Sequence, residues 1–307
     1  MILKIGTRGS KLALTQSEWI KGKIEARHPE VRVELVRIKT KGDKILDSPL
    51  SLIGGKGLFV KEIEDALLRG DVDLAVHSMK DVPSELPEGL VLGVFPERED
   101  PRDAFVSVRY ESLHNLPDGS RVGTSSLRRG AQLLHLHPGL ELVSVRGNVD
   151  TRLRKLESGE FEAIVLASAG LKRLGLEKRI TRLFPTHQML PAIAQGALGL
   201  EMRSDHDDVL QVLSFLNHGP TEVTVRAERA FLKELQGGCQ VPIAGHARLE
   251  GDDLILQGMV AELDGSRLIT DDISGHKDRA EDMGVELARR LLHEGADRIL
   301  AGVYGEV

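Results

Sequence analysis

The sequence predicts an α/β protein with two doubly wound domains that face a cleft, followed by a smaller α+β domain. Short apolar strands alternate with helices over residues 1–216, an order typical of a parallel sheet covered by helices on both faces. After Pro220 the pattern changes to one long helix, three alternating strands and a final amphipathic helix. A chain of 307 residues is long enough for more than one core. We therefore expect a ligand in the cleft, beyond the carboxyl ends of the strands.

Hydrophobic periodicity places the elements in order. A repeat of about 3.6 residues marks a helix, and alternation or a short apolar run bounded by turn residues marks a strand. The first unit has strands at 2–5, 31–39 and 72–76 and helices at 11–26 and 58–68. The second has strands at 104–108, 121–123, 141–145 and 161–167 and helices at 125–135, after Asn148 and after Ser168. The remaining elements are a strand at 196–202, whose neighbour periodicity does not settle, helices at 208–216 and 222–235, strands at 244–248, 254–262 and 267–273, and a helix through 283–292.

Composition is that of an ordinary globular protein. Hydrophobic residues make up 41% and charged residues 29%, which excludes a disordered chain. No apolar run approaches the roughly 18 residues of a membrane span, and the start MILKIGTRGS lacks the apolar region of a signal peptide, so we expect a cytoplasmic protein. The single cysteine, Cys239, leaves no intrachain disulfide and no cysteine-rich metal site.

Charge is distributed unevenly along the chain. A net charge of -6 and 3% aromatic residues argue against a nucleic-acid partner. Lys and Arg outnumber Asp and Glu by 12 to 6 in residues 1–60 and by 6 to 2 in residues 121–154, whereas residues 201–307 hold 11 basic and 21 acidic residues. The basic surplus falls mostly in turns between strands and helices, where ligands bind. A small polyanionic substrate fits this distribution.

Two glycine-containing loops of the first unit do not match nucleotide-binding motifs. The turn GTRGS presents Arg8 at the start of a helix but lacks the spacing of a dinucleotide fingerprint. The loop GGKG at 54–57 lacks the first glycine and the Ser/Thr of a Walker A motif. Residues 42–57 together are long for a connection, so we expect a mobile lid there, with a plain packed loop as the alternative.

The strand at 72–76 leads into HSMKDVP, residues 77–83. This segment delivers Ser78, Lys80 and Asp81 to the cleft together, and a proline fixes its exit. A salt bridge between loop neighbours would explain these residue types. The functional interpretation is a carboxylate that moves protons and stabilises positive charge, with nearby cations setting its ionisation.

A second loop, GTSSLRRG at 123–130, opens a helix. An N-cap explains its hydroxyls. It does not explain Arg128 and Arg129, because cations in the first turn oppose the helix dipole unless an anion lies between them. Arg146 and Arg152 repeat the arrangement at the next strand-to-helix turn.

Cys239 lies in the loop LQGGCQVPIAG, between the long helix and the first strand of the third domain. Two preceding glycines let the backbone approach another surface closely. A lone cysteine is commonly an inert buried residue, whereas a position in a loop favours a reactive thiol.

Seven segments of the chain occur in the order typical of one family. HSMKDVP, EREDPRDAFVS, VGTSSLRRG, RGNVDTRL, AGLKRLGL, QGALGLE and GGCQVPI together closely resemble the porphobilinogen deaminase (hydroxymethylbilane synthase) family. The resemblance runs from Ile5 to about Gly245 and is looser beyond. Met202 stands where many relatives have a second cysteine, so Cys239 is the only thiol available for covalent attachment.

The resemblance implies three domains, of which the first two are similar to periplasmic binding proteins. They span residues 1–96 with a return segment at 197–214, residues 102–190, and residues 219–307. It also implies a monomer that carries a dipyrromethane cofactor on Cys239 through a thioether. Onto this primer the family adds four porphobilinogen units with loss of ammonia and then releases a linear tetrapyrrole, hydroxymethylbilane. Neither a membrane nor a nucleic acid takes part.

Site roles follow from the same resemblance. Asp81 is the catalytic residue, which accepts hydrogen bonds from pyrrole N–H groups and stabilises the cation formed as ammonia leaves. The arginines would hold acetate and propionate carboxylates. The implied cofactor-binding residues are Cys239, Asp81, Lys80, Ser78, Thr124, Ser126, Arg128, Arg129 and Arg146. The implied substrate-binding residues are Arg8, Gln16, Lys56, Arg146, Arg152, Arg173 and Gln195.

Two other classes of protein share part of this pattern. A non-catalytic binding protein could hold an organic anion in the same cleft, but this class does not explain the cysteine loop GGCQVP. A periplasmic binding protein would also need a signal peptide, and none is visible. A regulatory ligand-binding domain would need a DNA-binding module, and the first residues enter a strand directly. An intact mass that exceeds the chain by two linked pyrrole units would separate the enzyme from both.

Overall fold

The chain folds into three sheets with helices packed on them, as shown by a computed structural model that describes residues 1–44, 57, 60–238 and 241–305. The strands are β1 (Ile2–Thr7), β2 (Arg32–Arg37), β3 (Leu74–Ser78), β4 (Leu90–Val94), β5 (Asp103–Ser107), β6 (Arg121–Gly123), β7 (Glu141–Val143), β8 (Ala163–Ala167), β9 (Arg182–Leu183), β10 (Leu198–Arg203), β11 (Ile243–Glu250), β12 (Asp253–Ala261) and β13 (Leu268–His276). The α-helices are α1 (Lys11–Arg27), α2 (Lys41–Lys44), α3 (Lys61–Arg69), α4 (Leu127–Leu136), α5 (Val149–Glu157), α6 (Ser168–Arg173), α7 (Asp207–Leu213), α8 (Gly219–Glu234), α9 (Ala280–Leu291) and α10 (Asp297–Gly305). None of the helices in this described part of the chain is long and apolar enough to cross a membrane.

The first sheet has the order β2-β1-β3-β10-β4 and helices on both faces. Ile20 and Ile24 of α1 pack on one face, together with Val209 of α7, and Ile63 and Leu67 of α3 pack on the other. β1 runs parallel to β2 and β3, as expected, but β10 runs antiparallel to both β3 and β4. The expectation of a parallel sheet is wrong for β10, because this strand enters the sheet from the second unit rather than through a strand–helix–strand crossover.

The second sheet has the order β7-β6-β8-β5-β9. Leu133 of α4 packs on one face, and Leu153 and Leu156 of α5 with Leu171 of α6 pack on the other. β6 is parallel to β7 and β8, whereas β5 is antiparallel to β8 and β9. Two sheets that are each covered on both faces confirm the doubly wound α/β prediction, with mixed rather than purely parallel strands.

The third sheet, β11-β12-β13, is antiparallel and packs against α8 and α9. Phe231 of α8 and Leu287 of α9 are fully buried in its core. This confirms the smaller α+β unit. Its core continues into the first unit through Met79 and Val82, which follow β3. The positive φ of Gly295 (+106°) separates α9 from α10, a helix that periodicity did not predict.

Domain boundaries stay a prediction, because the sheets fix which strands associate and not where each folding unit ends. Residues 45–56 hold most of the predicted lid and lie outside the described residues.

Candidate functional site

HSMKDVP lies at the carboxyl end of β3, where Met79–Asp81 form a single 3₁₀ turn. Gln16 of α1 donates from Nε2 to Ser78 Oγ at 2.9 Å, which ties the start of this segment to the first helix. Asp81 is exposed and Lys80 is partly buried. Burial lowers the pKa of Lys80 to about 8, the Arg129 cation adds to the effect, and the Asp81 carboxylate opposes it.

Arg128 and Arg129 lie in the first turn of α4 and share one carboxylate. Asp103 is fully buried at the start of β5, with Oδ2 2.8 Å from Arg128 Nη1 and Oδ1 2.7 Å from Arg129 Nη2. Burial alone would raise the pKa of Asp103, but the two guanidinium groups reverse this and hold the pKa well below its usual range. The anion that two cations at a helix start require is therefore supplied by the protein.

The helix start itself is capped as the sequence indicates. Ser126 Oγ accepts from the Arg129 backbone N–H at 3.4 Å, and Thr124 Oγ1 accepts from the Ser126 N–H at 3.2 Å. The Thr124 N–H donates to the Val143 carbonyl at 2.8 Å, which joins this turn to β7. The two hydroxyls thus have structural partners within the chain.

Gln195 is a fully buried connection between the two units. Its Nε2 donates to Asp103 Oδ1 at 3.0 Å and to the Pro101 carbonyl at 2.7 Å. Its Oε1 accepts from Arg129 Nη2 at 3.3 Å and from Lys80 Nζ at 3.5 Å. One side-chain amide therefore joins the segment that bears Asp81 to the paired arginines.

Four further arginines of the predicted site are partly buried. Arg152 Nε donates to the Gly147 carbonyl at 2.8 Å, and Arg173 Nη2 donates to the Gly196 carbonyl at 2.7 Å. Burial lowers the pKa of both to about 10; for Arg152 the Arg129 and Arg146 cations add to the effect. The partly buried residues of this set are Arg8, Arg146, Arg152 and Arg173.

The structure brings several of these charges within electrostatic reach of one another. The Asp81 carboxylate acts on both Lys80 and Arg152, and the Arg129 cation acts on the same two groups. Charged residues of both units therefore belong to one electrostatic group. Two residues of the prediction, Cys239 and Lys56, lie outside the described residues.

Sequence reasoning missed three groups that hold this arrangement in place. The first is Asp103. It ends the segment EREDPRD, whose acidic residues could have indicated a carboxylate partner for the arginines. Glu228 of α8 is fully buried, and its carboxylate accepts from Arg98 Nη1 at 2.6 Å and from the Ala247 N–H at 2.8 Å. Arg229 donates from Nη2 to the Pro83 carbonyl at 2.8 Å and so fixes the exit of HSMKDVP. No local pattern marks the last two, because their partners are distant along the chain.

Two family profiles match the chain. The one described as "Porphobilinogen deaminase, dipyromethane cofactor binding domain" covers residues 3–211, and the one described as "Porphobilinogen deaminase, C-terminal domain" covers residues 223–293. The chain belongs to the porphobilinogen deaminase family. Residues 3–211, which include Asp81, Asp103 and Arg129, form the family's dipyrromethane cofactor binding domain.

Curated relatives agree with this placement. A porphobilinogen deaminase of Nitratidesulfovibrio vulgaris (strain Miyazaki F) is 58% identical over 308 residues, which cover 99% of this chain and 97% of that protein. One of Geobacter sulfurreducens is 56% identical over 302 residues, which cover 98% and 95%. Among solved structures, the methionine binding protein MetQ is similar with a TM-score of 0.45 and 16% identity, covering 70% of this chain and 88% of MetQ.

The charges of the described residues fit the cofactor of the porphobilinogen deaminase family. A dipyrromethane built from porphobilinogen carries acetate and propionate groups. The group holds the cations of Arg128, Arg129, Lys80, Arg146 and Arg152 and the carboxylates of Asp103 and Asp81, so positive charge is in surplus. Such a surplus suits a polyanion.

Proposed function

We propose that this chain is a transferase that condenses four porphobilinogen molecules, with loss of ammonia, onto a dipyrromethane primer held by a thioether to Cys239, and then releases hydroxymethylbilane. The observation that carries the proposal is the position of Asp81. It lies within electrostatic reach of cations of both units, Lys80 and Arg152, in the part of the chain that matches the cofactor binding domain. A cytoplasmic monomer stays the prediction for location and assembly.

Asp81 is proposed as the catalytic residue. In each condensation the C–N bond of the aminomethyl group of porphobilinogen breaks, the amine takes a proton and leaves as ammonia, and the substrate pyrrole becomes cationic. A carboxylate that accepts a hydrogen bond from the pyrrole N–H stabilises this charge without reorganising. The cofactor supplies the pyrrole carbon to which the first substrate is joined. Asp81 can then accept the proton that the ring carbon loses when the new C–C bond forms.

The basic residues are proposed to hold carboxylates of the cofactor and of the substrate. Arg146 and Arg152 follow β7 and lie in the same electrostatic group as Asp81. Arg8 follows β1 and Arg173 ends α6, so cations from both units are available as the product lengthens. Guanidinium groups suit this task because they bind carboxylates through two parallel hydrogen bonds.

Arg128 and Arg129 differ from the other cations of the site in how firmly the protein holds them. Their contacts with Asp103 fix the guanidinium planes, and Arg129 Nη1 also donates to the Val165 carbonyl at 3.2 Å. A cation already fixed by the protein loses little side-chain entropy when a carboxylate binds. These two arginines are therefore proposed to orient the cofactor rather than to follow the growing chain.

An intact-mass measurement tests the proposal. The purified wild-type chain should exceed its sequence mass by two linked pyrrole units and should consume porphobilinogen. Cys239→Ser should fold with the unmodified mass and lose activity, because a hydroxyl is a much poorer nucleophile than a thiolate at neutral pH. An unmodified wild-type mass together with full porphobilinogen consumption would overturn the covalent cofactor, and no consumption by the wild type would overturn the function.

A further inference from the structure

The turn between β12 and β13 presses a glycine into helix α4. Gly265 is buried and has a positive φ of +72°. A Cβ placed there would lie 2.5 Å from the carbonyl oxygen of Ala131 and 2.6 Å from the backbone nitrogen of His135. His135 Nδ1 also donates to the Gly265 carbonyl at 3.0 Å. The third sheet thus touches the backbone of α4 at a point where no side chain fits.

The other hairpin turn of the same sheet has a similar backbone conformation but no close neighbour. Gly251, between β11 and β12, has a similar φ of +66°, but it is exposed and a Cβ there would meet nothing within 4 Å. Both turns need a left-handed residue. Close contact with a neighbouring element adds a second requirement at Gly265.

Helix α4 is also held by the segment that returns to the first unit. Gln132 Oε1 accepts from the Leu190 N–H at 2.7 Å, and its Nε2 donates to the Leu190 carbonyl at 3.1 Å. Ala131 and Leu190 share an apolar cluster with Met259 of β12. Contacts with two separate segments of the chain therefore set the position of this helix, and its first turn carries Arg128 and Arg129.

In the sequence, Cys239 lies between the end of α8 at Glu234 and the start of β11 at Ile243, so elements of the third unit stand on both sides of it along the chain. We propose that Gly265 is a positioning residue, whose missing side chain lets the third sheet seat on α4 at the depth that aligns the Cys239-linked cofactor with Arg128 and Arg129. This inference rests on the proposed function.

A side chain at this turn would collide with the backbone of α4. Real Cβ atoms essentially never approach another atom within 3.0 Å, so a methyl group at residue 265 must move the turn and α4 apart by about half an ångström. The atoms it meets belong to the backbone and cannot rotate away. A misplacement of about 1 Å can cost up to about a hundredfold in rate when it separates groups that orient the reactants.

The test compares Gly265→Ala with Gly251→Ala in the full-length holoenzyme. Cofactor-loaded fraction is measured by intact mass, kcat and KM by porphobilinogen consumption, and unfolding by Tm. Gly251→Ala introduces the backbone strain without the contact and should leave loading and kcat within about twofold of the wild type. Gly265→Ala should lower the loaded fraction, or the kcat of loaded enzyme, by about fivefold or more, with KM changed less than about twofold.

A merely structural role predicts a different result. If Gly265→Ala lowers Tm but matches Gly251→Ala in loading and kcat, the positioning role is overturned. If Gly265→Ala fails to fold, His135→Ala is tested instead, because it removes the hydrogen bond to the Gly265 carbonyl without adding a side chain to the turn. A fall of about twofold in cofactor loading or in kcat supports the positioning role. Unchanged values of both overturn it. A wild-type chain that carries no cofactor and consumes no porphobilinogen would instead overturn the proposed function.

Discussion

Arg129 donates two hydrogen bonds to a single oxygen of Asp103, from Nε at 2.9 Å and from Nη2 at 2.7 Å, where neither side chain is more than slightly exposed. Arg128 contacts the other oxygen of the same carboxylate. Its single negative charge balances one of the two buried cations, and both guanidinium groups lose their carboxylate partner if it is removed. This relationship governs both the stability of the site and the interpretation of arginine variants.

Asp103→Asn should destabilise the protein by about 3 to 5 kcal/mol, because it leaves two guanidinium groups buried without a counter-charge. Chemical denaturation at neutral pH measures the free energy of unfolding. Asp71→Asn is the control: it removes the carboxylate of an exposed pair with Arg69 and should cost no more than about 1 kcal/mol. Equal losses for the two variants would contradict the central role of Asp103.

Because of the Asp103 carboxylate, we expect the stability of the protein to fall at low pH. Because the folded pKa of Asp103 lies below its unfolded value, its contribution is complete above the unfolded pKa of about 3.9 and is lost as the pH falls toward the folded value. Tm should therefore fall below about pH 4 in the wild type and much less in Asp103→Asn. Parallel Tm profiles of the two proteins over this range would count against the argument.

Glu64 predicts a pH effect of opposite sign. Burial, together with the nearby Glu201 carboxylate, raises the pKa of Glu64 from 4.5 to about 7, while His77 opposes the shift. Stability from protonated Glu64 is complete below pH 4.5 and is lost as the pH rises to about 7. Glu64→Gln should thus raise the free energy of unfolding at pH 8, by an amount of order 3 kcal/mol at most.

Denaturation at pH 5 and pH 8 checks this prediction. The stabilisation by Glu64→Gln should be larger at pH 8 than at pH 5. Glu18→Gln, on the exposed face of α1, is the matched control and should show no such difference. A Glu64→Gln variant that is no more stable than the wild type at pH 8 would show that the buried carboxyl is accommodated in its charged form.

Asp81→Asn should retain the fold and the cofactor but lose most turnover. The amide keeps the shape of the carboxylate but neither carries its charge nor accepts a proton. A transition-state interaction of about 3 kcal/mol corresponds to a loss of roughly a hundredfold in kcat. Steady-state kinetics and intact mass measure the two properties, and Glu85→Gln, an exposed carboxylate of the same loop, is the control. A change confined to KM would argue against this role for Asp81.

The arginines should differ in the stage that they serve. Arg128→Ala should impair acquisition of the cofactor and also lower Tm, because it removes one of the two partners of Asp103. Arg8→Ala should retain the cofactor and slow the addition of substrate units. Intact mass after expression and single-turnover analysis of bound intermediates separate the two defects. Identical cofactor occupancy and identical kinetics for both variants would refute the division.

Local sequence determined most of the elements and the ends of the strands on which the site is built. Periodicity placed α1 and α8 to within a few residues, and the hydroxyls before α4 marked its N-cap. These features depend on residues close together in the chain, so a single sequence can show them. Recognition of the family needed no tertiary contact either, because its motifs are contiguous segments.

Tertiary structure alone decided the neighbours of β10 and the partners of the buried charges. A strand that is buried on both faces has the same apolar pattern whichever strands it pairs with. Periodicity therefore does not show the neighbours of β10. The sequence showed that Arg128 and Arg129 need an anion, and only the fold supplied Asp103 at 2.7 to 2.8 Å rather than leaving both cations for a ligand. Charge pairs form between groups that are close in space. Asp103 is 25 and 26 positions from the two arginines along the chain, so no local pattern shows that they pair.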